Sequence, residues 1–123
     1  MGDILKALVV ALTVSATSVA AQTNPINGNF GAFGGCDIAR NPNAAAGDDR
    51  LVLLRPNAVQ LYAADCRITR IALTGDGGAL LDLACGTEEG VMQSRANLRP
   101  LANGQGFVMQ FGGESRQTEL TRC

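Results

Sequence analysis

From Leu51 to Cys85 the chain alternates with a period of two: Val59, Leu61 and Ala63 interleave with Gln60 and Tyr62, and Leu81, Leu83 and Cys85 with Asp82 and Ala84. That period belongs to half-buried strands. The runs are bounded by Arg55-Pro56-Asn57, Ala64-Asp65 and Gly75-Asp76-Gly77-Gly78, whose residues fix φ or tolerate positive φ, so hairpins are predicted at each. Asp76-Gly77 is the best local turn signal. Further on, Met92, Ser94, Ala96 and Leu98 give a weakly apolar inner face, and Phe107, Met109 and Phe111 give another. Thr118 and Leu120 face inward on a last strand over Arg116 to Arg122.

One step breaks the alternation. Ile68 and Ile71 lie three apart, so either a bulge sits near Thr69-Arg70 or one isoleucine faces outward. Cys36 to Arg40 reads as a short helical turn ended by Asn41-Pro42. The pattern as a whole predicts an all-β domain over residues 36–123: a small antiparallel meander of about seven strands forming a barrel or a sandwich.

The N-terminus differs in kind. Lys6, an apolar run from Ala7 and a small-residue exit at Val19-Ala20-Ala21 have the layout of a cleaved signal peptide over residues 1–21. The run is too short to span a bilayer, so no membrane span is expected after cleavage. Residues 22–35, QTNPINGNFGAFGG, read as a flexible Gly/Asn-rich arm. Its Phe30 and Phe33 either tuck against an edge of the core or stay exposed as an anchor for a partner.

Cleavage leaves roughly 100 residues, enough for one domain with a modest core. The four cysteines, Cys36, Cys66, Cys85 and Cys123, are widely spaced without a Cys-x-x-Cys pair. In an exported chain this predicts two disulfides rather than zinc, in a periplasmic or secreted protein. Two pairings compete. Cys36–Cys66 with Cys85–Cys123 ties the irregular N-terminal segment and the last residue to the core, and is preferred. Cys36–Cys123 with Cys66–Cys85 is the alternative, for if Gly75 and Gly78 flank the turn, Cys85 falls opposite Ile68 with Cys66 diagonal to it on the same face.

Charge and chemistry exclude much. Past residue 21 nine arginines face ten carboxylates, too balanced for a nucleic-acid field. There is no histidine, which removes the usual general base and the commonest metal ligand. Asp48-Asp49 lacks the surrounding oxygen ligands of a calcium loop. The carboxylates Glu88, Glu89, Asp82, Asp65 and Asp76 fall in turns or on outward positions, where solvation keeps an acid ordinary. No catalytic residue, metal or cofactor is therefore expected. The weak binding candidates are Phe30 and Phe33, the turn pair Glu88 and Glu89, and the outward Arg95 and Arg99.

The size, exported start, closing Cys123 and meander plan resemble the small cysteine-stapled secreted or periplasmic proteins of proteobacteria. The plan is also similar to the periplasmic inhibitors of c-type lysozyme, which are small β-barrels. The likeness covers the layout of the mature chain. The Ser-Gly-x-x-Tyr and Tyr-x-x-x-Thr-Lys-Gly loop segments of those inhibitors are absent, since Tyr62 is the only tyrosine and no lysine follows Lys6. No functional residue is carried over. The expectation is a non-enzymatic exported β-domain that binds a protein or cell-envelope component. The alternative is an inhibitor of a secreted hydrolase such as lysozyme or a protease.

Overall fold

The computed structural model describes residues 24–123; the signal-peptide reading of residues 1–21 lies outside the described residues. Alternation carries through most of the chain and produces β2 (Val52–Arg55), β3 (Ala58–Leu61), β4 (Asp65–Leu73), β5 (Ala79–Thr87), β6 (Gly90–Pro100), β7 (Gly106–Phe111) and β8 (Thr118–Arg122). One more strand, β1 (Phe30–Ala32), precedes a short helix α1 (Gly35–Arg40). The eight strands form a closed antiparallel barrel in sequence order, with β8 returning to β1. The fold is thus all-β, with eight strands where about seven are predicted.

The extra strand comes from the segment expected to be a flexible arm. Phe30, Gly31 and Ala32 pair with β2, and Phe30 and Gly31 also pair with β8. Ile26 is buried in the barrel core, and Asn24 anchors the approach to it: its amide nitrogen donates to the Pro56 carbonyl, and its carbonyl oxygen accepts from the Ile26 N–H, both at 2.8 Å. Local composition argues for disorder in this segment. Burial of its two large apolar side chains outweighs that tendency.

The barrel interior is filled by the inward rows, including Phe30, Leu54, Val59, Leu81, Leu83, Leu98, Met109 and Leu120, each almost wholly buried. Eight strands leave an interior just wide enough for side chains to fill. Among the described residues no polar or charged residue is buried. A second, smaller core lies outside the wall. Leu51 and Leu53 pack with Ile38 of α1, and Ala39, Ala44 and Ala46 lean on them. This explains why β2 reads as an unbroken Leu-Val-Leu-Leu run: Val52 and Leu54 fill the barrel while Leu53 is covered from outside. The helix sits so close to the strand that a Cβ at Gly35 would collide with the Val52 carbonyl oxygen.

The irregularity in β4 is a bulge. From Leu73↔Ala79 to Arg70↔Asp82 the hairpin keeps one register, and below Thr69 it shifts by one residue, to Ile68↔Leu83 and Cys66↔Cys85. Both isoleucines therefore pack against the core. The five-residue turn before it, Thr74 to Gly78, is held by Asp76, whose carboxylate accepts from the Thr74 hydroxyl at 2.5 Å and the Gly78 N–H at 2.9 Å. Those bonds, the hydroxyl first, hold the Asp76 carboxyl below its ordinary range.

The disulfides are Cys36–Cys123 and Cys66–Cys85. The preferred pairing, Cys36–Cys66 with Cys85–Cys123, is corrected by this. Counting register from Gly75 and Gly78 also places Cys85 opposite Ile68, whereas it faces Cys66 directly. A one-residue slip moves every side chain to the other face, so bulging Thr69 out of the ladder is what brings the two sulfurs to the same side. Deleting Thr69 takes out the one extra residue, so Ile68↔Leu83 then follows directly on Arg70↔Asp82 and Cys66 stays opposite Cys85. Non-reducing peptide mapping should then still find the Cys66–Cys85 bridge; two free thiols in its place would show that the ladder changes register when the bulge is lost.

Candidate functional site at the barrel mouth

The two ends of the barrel are finished differently. At the end bearing the β2–β3 turn, Ile26 enters the core and Arg122 folds over it, its guanidinium 4.7 Å above the Phe30 ring and donating to Asn27 Oδ1 at 3.0 Å. That end is closed. At the opposite end a cavity of about 360 Å³ remains open. Val52, Leu61, Cys85 and Phe111 form its apolar floor; Tyr62, Met92 and Ser94 form part of its wall, and Arg50, Glu114 and Arg116 stand at its rim. A volume of this order takes one large side chain or a small ligand.

Each lining position follows from the strand pattern. Inward alternation on β6 runs Leu98, Ala96, Ser94, Met92, passing from buried aliphatic to small and polar and then to a Met that is 60% exposed. On β8 it passes from buried Leu120 to half-buried Thr118. These transitions mark where the packed interior ends. The sequence carried the signal as a weakly apolar inner face, but it does not show which barrel end is plugged.

Electrostatics at the mouth is dominated by carboxylates. Asp48, Asp49, Asp65, Glu88, Glu89 and Glu114 lie on the segments at this end, against the guanidiniums of Arg50, Arg67 and Arg116. Arg50 is already engaged, donating from Nε and Nη2 to the two Asp48 oxygens at 3.0 and 2.8 Å, while its guanidinium lies 4.1 Å above the Phe33 ring. The Arg50 side-chain bonds, helped by its N–H, lower the Asp48 pKa to about 2. Asp48 is thus tied to a cation of its own loop. The carboxyls displaced from their ordinary value, Asp48 and Asp76, are both held down, which keeps them ionised.

The sequence-derived candidates do not converge. Phe30 is 1% exposed and stacks edge-to-face on Phe107 at 5.1 Å, so it is a core residue and the exposed-anchor reading is corrected. Phe33 is 42% exposed beneath Arg50, beside the mouth. Glu88 and Glu89 form the tip of the β5–β6 hairpin, above the mouth. Arg95 is ion-paired with Asp82 across the outer wall at 2.9 Å. Arg99 lies on the outer face near the closed end, paired in register with Val108. What the structure adds is Tyr62, Met92, Ser94 and Arg116, brought together from β6 and the loops after β3 and β7. Among the described residues no cluster of His, Cys, Asp or Glu could hold a metal ion. No helix among them is long and apolar enough to cross a membrane. No protein-family model, curated protein or solved structure matches the chain.

Proposed function

We propose that this chain is a non-catalytic binding domain of an oxidising compartment outside the cytoplasm, and that it engages a protein partner through the open mouth of the barrel. The observation that carries this reading is an apolar cup left open at one end of a barrel whose core at the other end is capped by Ile26 and Arg122. Two disulfides and the absence of free cysteines among the described residues fit an oxidising location. The lack of histidine and the ionised state of the displaced carboxyls fit binding rather than acid–base turnover.

The test is selective obstruction. Ser94→Phe fills the cup from its wall, whereas Leu80→Arg alters an exposed apolar residue on the outer wall far from it. Partners captured from a periplasmic extract by the unaltered protein and by Leu80→Arg should fall at least tenfold with Ser94→Phe, with the circular dichroism of all three alike. Loss with Leu80→Arg alone would move the binding face to the wall and refute the mouth. A second reading is favoured by the β5–β6 hairpin, which runs past the last β6–β7 pair, Ala96↔Phe111, to a tip at Glu88-Glu89. Such a hairpin suits insertion into the cleft of a secreted hydrolase. Stoichiometric inhibition of lysozyme or of a secreted protease, lost in the double variant Glu88→Lys/Glu89→Lys, would establish that reading.

A further inference from the structure

The barrel is closed, yet at the mouth end of β6 the wall has a partner on one side only. The β6–β7 ladder begins at Ala96↔Phe111, and beyond it a single bond, from the Gly112 N–H to the Arg95 carbonyl at 2.9 Å, joins the two sides. In an antiparallel strand the N–H and C=O of one residue point the same way and successive residues alternate. Because Arg95 faces the β7 side, so do Gln93 and Val91, while Met92 and Ser94 bond to Cys85 and Leu83 of β5. Among the described residues the main-chain groups of Val91 and Gln93 find no partner on that side. Val91 is 72% exposed and Gln93 is exposed as well.

Sheet edges are ordinarily blunted by charge, proline or a covering segment. The stretch Gly90 to Ser94, Gly-Val-Met-Gln-Ser, holds neither charge nor proline. The segment following β7 does not cover it either. That segment, with Gly112, Glu114 and Arg116, lines the cavity together with Met92 and Ser94, so the bare edge at Val91 and Gln93 adjoins the apolar cup through these two neighbours.

We infer that the mouth takes its partner as an added strand: an extended segment, basic at its flanks, lies along the edge of β6 from Val91 to Gln93 and turns one apolar side chain into the cup. This rests on the mouth being the binding face. Two edge residues offer two N–H donors and two carbonyl acceptors, the pattern that gives strand addition its affinity, and the period of two sends alternate guest side chains inward. The basic flanks follow from six carboxylates against the three guanidiniums of Arg50, Arg67 and Arg116, the first already held by Asp48. A second copy of the chain would bring the same sign of charge to the contact and is disfavoured for that reason.

The probe is a synthetic heptapeptide with lysine at one end, arginine at the other, threonine next to each, and Val-Phe-Val at its centre. Calorimetry should show it binding the full chain, weakening as salt rises, and weakening about tenfold or more when glutamates replace its basic ends. Gln93→Pro removes an N–H that faces the gap and leaves the bonds to β5 intact, so the fold should survive while affinity falls about tenfold. Binding lost in Ser94→Phe but unchanged in Gln93→Pro would keep the mouth as the binding face and overturn strand addition. No binding at millimolar peptide, or a dimer in sedimentation that Gln93→Pro dissolves, would overturn it equally.

Discussion

Replacing Cys36 and Cys123 together by serine is expected to remove roughly 4 to 5 kcal/mol of stability, because the bridge closes a loop with a separation of 87 residues. Few single features of the molecule should weigh as much, since a domain of this size has a net stability of about 5 to 15 kcal/mol. The location of the bridge adds to the effect. The β1–β8 seam that closes the barrel has only two register pairs, Phe30↔Arg122 and Gly31↔Thr121, supplemented by a bond from the Cys123 N–H to the Asn29 carbonyl at 2.9 Å. Without the covalent link the seam rests on those few bonds. The Cys66–Cys85 bridge closes a separation of only 19 residues within a hairpin that its own turn already constrains. Its double-serine variant should lose about 3 kcal/mol at most. Urea unfolding of the two double variants measures the difference, and a larger loss from the second would show that the seam is not the weak line of the barrel.

Phe30→Ala should cost about 3 to 5 kcal/mol, the range for emptying a large aromatic from a packed core. Phe30 is one of the largest fully buried side chains, is paired edge-to-face with Phe107 and lies beneath the Arg122 guanidinium. The cavity would open beneath the closed end, loosening Ile26 and Arg122 together. By contrast Phe33→Ala removes a partly exposed ring whose main described contact is Arg50, and should lower stability by no more than about 1 kcal/mol. Thermal unfolding of the pair separates a core role from an anchor role. Equal, small losses would return Phe30 to the surface.

These two phenylalanines show where sequence reasoning succeeds and where it stops. The strands from β3 to β8 were legible because each has one buried face, so the period of two is written into Val59, Leu81, Leu83, Met109 and Leu120. The bulge was legible for the same reason, as the broken step between Ile68 and Ile71. β1 was not, since three residues in a Gly/Asn-rich segment carry too little pattern, and their pairing depends on strands far along the chain. Covering both faces of β2 erased its alternation, because α1 lies on the outside.

The preferred disulfide pairing failed because it set the tethering of both chain ends above strand register, and the register itself is closer than the turn count suggests. A five-residue turn instead of a two-residue one, followed by one bulged residue, moves Cys85 from opposite Ile68 to opposite Cys66. The site was half legible: the fade of the β6 inner face from Leu98 to Met92 announces an end of the core. That this end is open depends on Ile26 and Arg122 filling the other, a distribution that local pattern does not contain.

The central claim is that the mouth end of β6 is hydrogen-bonded on its β5 side alone, and that this edge and the adjoining cup form the binding face. Residue-resolved amide hydrogen exchange of the free protein tests it without knowledge of the partner. The account expects Val91 and Gln93 to exchange orders of magnitude faster than Met92 and Ser94, their neighbours in the same strand, whose amides are held by β5. Equal and slow exchange of all four would mean that the edge is already covered, and would contradict the claim.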